Sequence, residues 1–403
     1  MMKNSDEETR RGEERESARQ FIILILGYYG YGNTGDEAIL ESIIALFNKF
    51  LSFNCKFIVL TENPEIVSNT HNIRAIYSSR YKIFKNIIEI IQTLFKSDMF
   101  IYGGGGILGG GYRQTLSWIS KILLAKMLHK ITVIYAVGVD YDFHRKLKML
   151  KKIIINKIDY ISVRDEKSKK ILEDMGIKRV YLIPDPALCL DPANPLRAEE
   201  ILHEEKILPF SYPLIGICLR GTYPGQLFSD EMTYSQFKEI FATIIDYLVN
   251  KLNARVVFIP MRYTPSDNKI AFEILEKVQY KERVHIITRE YKPQEIMGIL
   301  GKMDMVIGMR LHSLILAAAM SVPIIGIAYD PKVKNFLLLL NPNIKFCEIN
   351  DFNLDDLKTK IEITWQNKGE FKNFINSGVL NLKKMVVNNT ISVCNLLKCK
   401  YKL

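Results

Sequence analysis

No two of the six cysteines form a CxxC pair. Cys55, Cys189, Cys218, Cys347, Cys394 and Cys399 are scattered along the chain, which leaves no zinc ribbon and no redox dithiol. Several stand in apolar stretches and read as small core residues of a reduced, cytoplasmic protein. No cluster of metal ligands is evident either, so neither a metal nor a cofactor is expected. Long apolar runs are missing too. The longest, Leu314 to Ala328, is interrupted by Pro323 and falls short of the ~18 residues that a membrane span requires. Residues 1–20 mix acids and bases without an apolar core; they read as a charged tail, not a signal peptide. Zinc-finger spacing, RNP-like aromatic strands and basic low-complexity arms are absent, which argues against nucleic acid as a partner.

What remains is a globular chain of 403 residues, 48% hydrophobic and 25% charged, long enough for two domains. The net charge of +11 suits polyanions, phosphorylated small molecules or an anionic membrane surface, or serves solubility alone. From Phe21 to about Leu190, apolar runs such as FIILILG, KFIVLT, DMFIYGG and ITVIYAVGV alternate with amphipathic stretches. The pattern returns in PLIGICLRG, ARVVFIPMR, VHIIT, MDMVIGM and VPIIGIA. Apolar strands alternating with helices predict largely parallel sheets covered on both faces. The expected division is a Rossmann-like domain over 21–195, a Pro-rich charged link over 196–212, a second Rossmann-like domain over 213–368, and a helical segment over 369–403. The active site is expected in the cleft between the two α/β domains.

In open α/β sheets, ligands bind beyond the carboxyl ends of the strands, and the residues of chemical interest cluster there. GYYGYGNTGDE (Gly27–Glu37) links a strand to a helix; its glycines allow close approach of backbone to a ligand. Asn33 and Asp36 stand in it, and Asp36 either caps the helix or meets a sugar hydroxyl. The run GGGGILGGG, with Gly104 and Gly105, offers either a flexible loop or a backbone lying under a ligand with free N–H groups. Arg164, at the end of YISVR, pairs with Asp165 or forks onto a carboxylate or phosphate. Asp185 in PDPAL holds a turn or belongs to the site. In MRYTPSDNK, Ser266 or Asp267 caps a helix, or Asp267 serves as a general base. MRLHSLILAA places Arg310 and His312 at a helix start that favours an anion. His312 is the best acid/base candidate among six histidines. Lys332, in YDPK, is a point charge suited to phosphate or an exposed helix-start residue.

Taken in order, GYYGYGNTGDEAIL, the glycine run, SVRDEKS, PDPAL, MRLHSLILAA and GIAYDPKV resemble the polysaccharide pyruvyl transferase family over roughly Gly27 to Leu340. The resemblance implies a GT-B-like pair of domains. It also implies transfer of the pyruvyl group of phosphoenolpyruvate to two hydroxyls of a sugar, with a cyclic ketal formed and phosphate released. The acceptor would be a cell-surface polysaccharide or its lipid-linked precursor. The roles carried over fall on Arg310, His312 and Lys332, and further on Arg164, Asp267 and Asp36. Val137 stands where the family often has Gln, and no Gly-Pro follows; the difference bears on acceptor choice and on activity. A nucleotide-sugar glycosyltransferase of GT-B type and a non-catalytic sugar-binding protein of envelope assembly are the alternatives. Lys383, Lys384, Lys398, Lys400 and Lys402 suit peripheral contact with the inner face of an anionic membrane.

Overall fold

The computed structural model describes residues 20–402 except 52, 83–84, 107, 110, 140–146, 208–210, 222–232 and 264–266. Nearly all of the charged tail and Ser266 lie outside the described residues. Contacts divide the chain into two units. One holds the residues up to Gly30, Ile43–Ile183 and those from Val387 onward; the other holds Tyr31–Ser42 and Pro184–Val386. The division falls inside two helices, Thr34–Phe50 and Lys368–Tyr401.

In the first unit, strand and helix alternate: β1 (Phe21–Leu26), α1 (Thr34–Phe50), β2 (Cys55–Thr61), α2 (Pro64–His71), β3 (Arg74–Tyr77), α3 (Ile87–Lys96), β4 (Met99–Gly103), α4 (Tyr112–Met127), β5 (Ile131–Val137), α5 (Lys148–Ile155), β6 (Tyr160–Val163), α6 (Glu166–Asp174) and β7 (Val180–Leu182). The strands form one sheet in the order β3-β2-β1-β4-β5-β6-β7. All its pairings are parallel. FIILIL and ITVIYAV are apolar on both sides because helices cover both faces of such a sheet. On one face, Ile90, Leu94, Ile119, Ile122 and Ile154 from α3, α4 and α5 share a core with Leu24, Leu26, Phe100 and Ile134. Elsewhere in the unit, Phe47 meets Tyr135 edge to face, and the Tyr135 hydroxyl bonds Thr390 at 2.6 Å.

The second unit continues with α7 (Pro195–Glu204), β8 (Leu214–Cys218), α8 (Tyr234–Leu252), β9 (Arg255–Phe258), α9 (Asn268–Leu275), β10 (Val284–Ile286), α10 (Pro293–Gly301), β11 (Met305–Gly308), α11 (Leu311–Ala319), β12 (Ile324–Ala328), α12 (Pro331–Leu340), β13 (Lys345–Glu348), α13 (Leu354–Gln366) and α14 (Lys368–Tyr401). Its sheet runs β10-β9-β8-β11-β12-β13, again parallel throughout. Both sheets thus have the doubly wound order of a Rossmann fold, reversing direction between β1 and β4 and between β8 and β11. The fold is α/β, with two Rossmann-like sheets and helices at the C-terminal end. The stretch 196–212, expected as a link, includes most of α7. Ala198, Ile201 and Leu202 give that helix a buried face, and Arg197 ties it to Glu295 of α10 at 2.9 Å. No described helix is long and apolar enough to cross a membrane.

Candidate active site

The second unit gathers most of the expected residues at the carboxyl ends of β8, β9 and β11. Arg310 follows β11 and occupies the N-cap position of α11. Its Nε and Nη2 donate to Asp267 at 3.0 and 2.5 Å, a forked, charge-assisted pair. Both side chains are largely buried. Asp267 also accepts from the backbone N–H of Gly221 after β8 and of Met261 after β9, at 2.9 and 3.3 Å. One carboxylate therefore joins three strand ends at the point where the strand order reverses. Asp267 occupies an N-cap position without making a side-chain cap bond. Its two oxygens receive four N–H donors, so it is built as an acceptor that fixes Arg310. Arg310 Nη1 makes no hydrogen bond among the described residues and stays available to an anion.

His312 lies in the first turn of α11, 13% exposed in its side chain. Its Nε2 stands 3.4 Å from Asp185 Oδ2 and makes no hydrogen bond among the described residues. Asp185 does hold a turn, accepting from Ala187 N at 3.1 Å; its other oxygen faces the imidazole. The ring also lies against Gly35, where a Cβ would stand 2.0 Å from Nδ1. Three separate motifs, GNTGDE, PDPAL and RLH, thus meet at one imidazole. The first reaches it because residues 32–34 pair with the chain after β9. Asn33 and Arg262 form an antiparallel bridge, Thr34 N donates to Met261 O at 3.0 Å, and Tyr263 N donates to Gly32 O at 2.9 Å. The Asn33 carbonyl accepts from Asp36 N and Glu37 N at 3.0 and 3.2 Å, and the Asn33 side-chain amide donates to the Asp36 carboxylate. Asp36 thereby secures the start of α1.

Lys332 sits in the first turn of α12, and Asp330 caps that turn at 3.0 Å. Lys332 Nζ is 3.1 Å from Asp330, so this expected phosphate ligand is held by its own capping residue. Arg220 and Lys332 both flank the ring of Tyr329, at 5.0 and 5.8 Å from its centroid. Beneath the site, burial pushes the Cys218 thiol up to about 12, which keeps it protonated and unreactive.

Arg164, Gly104 and Gly105 belong to the first unit. A Cβ on Gly138 would lie 3.2 Å from the Arg164 guanidinium, and one on Gly106 3.6 Å from it. Glycines therefore make room for this arginine. Its neighbour Asp165 caps α6 through Ser168 N at 2.8 Å. The glycine run is not a free N–H cradle at the positions where its bonds are defined. Gly104 N donates to Tyr135 O at 3.3 Å, Leu108 N donates to Gly138 O at 3.2 Å, and Gly105 O accepts from Gly138 N at 2.9 Å. The run extends the β4–β5 pairing beyond the strands. Val137 is fully buried in the core, next to an irregularity in the β5–β6 register. Ala136 there takes a positive φ of 51°, and its N–H donates to Ser162 Oγ at 3.1 Å.

Asp185 and Gly35 are the site residues that sequence reasoning undervalued. PDPAL did mark a strand end, but its partner lies far along the chain. Among the described residues no three His, Cys, Asp or Glu side chains come together as a metal cage.

No curated protein matches the chain significantly. Among solved structures it is similar to UDP-GlcNAc 2-epimerase from Neisseria meningitidis, with 11% identity, TM-score 0.62, and 92% of this chain and 99% of that one covered. It is also similar to a glycosyltransferase from Rickettsia africae, with 14% identity, TM-score 0.61, and 94% and 98% covered. The UDP-GlcNAc 2-epimerase of Methanocaldococcus jannaschii aligns at 14% identity with TM-score 0.58, over 87% and 94% of the two chains. At these identities the likeness shows the fold alone, which is GT-B-like. The family model for polysaccharide pyruvyl transferases matches residues 33–331, a span that includes Asn33, Asp185, Asp267, Arg310 and His312, and the chain belongs to that family.

Proposed function

We propose that this protein transfers the pyruvyl group of phosphoenolpyruvate onto two hydroxyls of one sugar, in a cell-surface polysaccharide or its lipid-linked precursor. The observation that carries this reading is the pairing at the start of α11. Arg310 is locked by Asp267, and two residues on, His312 faces Asp185 at 3.4 Å. Phosphoenolpyruvate brings a carboxylate and a phosphate, and each needs a cation or N–H donors. Arg310 Nη1 and the N–H groups at the start of α11 receive one of these anions. Arg220 and Lys332, both over the ring of Tyr329, serve the other. Arg164, Gly104 and Gly105 of the first unit are proposed as further substrate-binding residues. Asn33 and Asp36 act by holding the start of α1, and with it Gly35, against the imidazole.

In the chemistry we assign, His312 gives a proton to the methylene carbon, leaving C2 electrophilic. Asp185 offers its carboxylate to the imidazolium that gives this proton. A first sugar hydroxyl adds to C2 and returns a proton to His312. Phosphate departs with the electron pair of its bond to C2, and the second hydroxyl closes the ketal as its proton passes to the departing phosphate. Asp267 is a positioning residue in this scheme. The donor is a substrate, and no cofactor enters. The reaction is placed in the cytoplasm, where phosphoenolpyruvate is available.

The test is phosphate release from phosphoenolpyruvate, with and without a panel of sugar acceptors, for wild type and His312→Ala. Acceptor-dependent release that falls about 10²–10⁴-fold in the variant, with circular dichroism unchanged, is the expected result. No phosphoenolpyruvate binding, together with release of nucleoside diphosphate from a nucleotide sugar, would replace this reading with glycosyl transfer.

A further inference from the structure

Helices α3, α4 and α5 lie side by side on one face of the first sheet, and each is apolar on its outer side as well as its inner one. On α3, Ile88, Ile91 and Phe95 are spaced i, i+3, i+7 and form one stripe. Met127 ends the outer side of α4, and Met149 and Ile153 are one turn apart on α5. Ile88 is 70% exposed, Phe95 69%, Met127 68% and Met149 69%. Single exposed apolar residues are ordinary, but a group of them on three neighbouring helices points to an interaction surface.

The charge around this group is mostly positive. Lys85, Lys96, Lys130, Lys148, Lys152 and Lys157 lie on or beside the three helices and are exposed or partly exposed. Lys130 reaches over the Phe95 ring, 5.8 Å from its centroid. The helices contain one carboxylate, Glu89, paired with Arg74 at 3.2 Å, and Asp159 beside them is paired with Lys126 of α4 at 2.9 Å. A second copy docked on the same face by two-fold symmetry would set lysines against lysines, with Glu89 and Asp159 already paired within each copy. An anionic bilayer supplies the missing charge and an apolar layer at the depth such side chains reach.

We infer that the α3–α4–α5 face docks this protein on an anionic membrane surface, with Ile88, Phe95, Met127 and Met149 entering the headgroup boundary and the lysines bound to lipid phosphates. This docking does not depend on which reaction the second unit performs. It also differs from contact through the C-terminal lysines alone: Lys383, Lys384, Lys398, Lys400 and Lys402 belong to the last helix and the residue after it, although Lys400 donates to the His129 carbonyl just beyond α4.

The experiment is co-sedimentation of the full chain with vesicles of equimolar phosphatidylglycerol and phosphatidylcholine, and with phosphatidylcholine alone. We expect binding to the anionic vesicles only, weakened by salt, and a partition coefficient lower by about tenfold or more in Phe95→Glu/Met149→Glu. Both side chains are exposed, and circular dichroism would verify that the variant stays folded. Absence of binding at low salt would overturn the inference. So would a folded double variant that binds like wild type, or binding lost only when the C-terminal lysines are reversed to glutamate. Dimerisation abolished by the same double variant, without vesicle binding, would assign the face to self-association instead.

Discussion

A hydrogen in place of a methyl group at position 35 sets where the imidazole of His312 sits. Gly35 is the second residue of α1, where alanine would ordinarily stabilise a helix by about 1 kcal/mol. Here the added carbon would stand 2.0 Å from Nδ1, and the backbone bonds at Asn33 and Thr34 resist retreat of the helix start. The ring is the softer partner and moves, and it then loses its alignment with Asp185. Gly35→Ala is therefore expected to leave the thermal midpoint within a few degrees while kcat falls about 10²-fold, the cost of misplacing a catalytic group by an ångström or so. Histidine side-chain NMR should show a changed His312 resonance in the folded variant. Wild-type kcat with an altered resonance would reduce this contact to packing. Residue chemistry was legible in the sequence where it stood beside its own motif, as with Arg310 and His312. Asp185 read mainly as a turn residue because its partner in space lies 127 positions along the chain.

Helix α4 shows how an element can hold a group that its pattern hides. Lys121 falls on the buried stripe, 3% exposed. Its Nζ donates to Ser117 O and Ser117 Oγ at 3.1 and 2.7 Å. Burial lowers its pKa from 10.5 to about 8, although Glu62 works the other way. The unfolded chain keeps its proton up to the ordinary value, so between about 8 and 10.5 the unfolded state binds more protons and stability rises with pH. Below that window the penalty for the buried ammonium is complete, at most about 3 kcal/mol for a shift of this size. Lys121→Met, which keeps the stem, should raise urea stability near pH 7, and its advantage should shrink as pH climbs through the window. A variant no more stable than wild type at pH 7 would show that the bonds to Ser117 offset the burial. Strands were the most legible elements, because a parallel sheet covered on both faces demands unbroken apolar runs. The two that went unread, β3 (RAIY) and β13 (KFCE), each form one edge of their sheet and begin with a basic residue, whereas the opposite edges β7 and β10 were read because VYLI and VHII run on apolar past the strand. β3 and β13 each have a single buried residue, which leaves little pattern to detect.

At the scale of the molecule, both sheets are parallel, and alternation of strand and helix was enough to foresee that; the strand order, with its reversal next to the first strand of each sheet, was not read from the sequence. The assignment of residues to units was not foreseeable in the same way. Tyr31–Ser42 groups with Pro184–Val386 through backbone pairing of Asn33 with Arg262, a contact that local periodicity does not encode. Net charge, by contrast, is a whole-chain property read directly from composition, and it carries a kinetic consequence. A chain of net charge +11 attracts a small anion from beyond contact distance, an effect that acts on encounter and not on the bound complex. Salt shortens its reach from about 10 Å at 0.1 M to about 3 Å at 1 M. Inside the site, Arg310 and Asp267 are largely buried and bonded to each other, so the chemical step is screened far less. For phosphoenolpyruvate as donor, kcat/KM should therefore fall about tenfold over that salt range, while kcat at saturating donor changes little. A parallel loss of kcat would place the salt-sensitive interaction in the transition state. A flat kcat/KM would mean that the basic surface has no part in capturing the donor, which would leave the lysines of the α3–α4–α5 face as its main use.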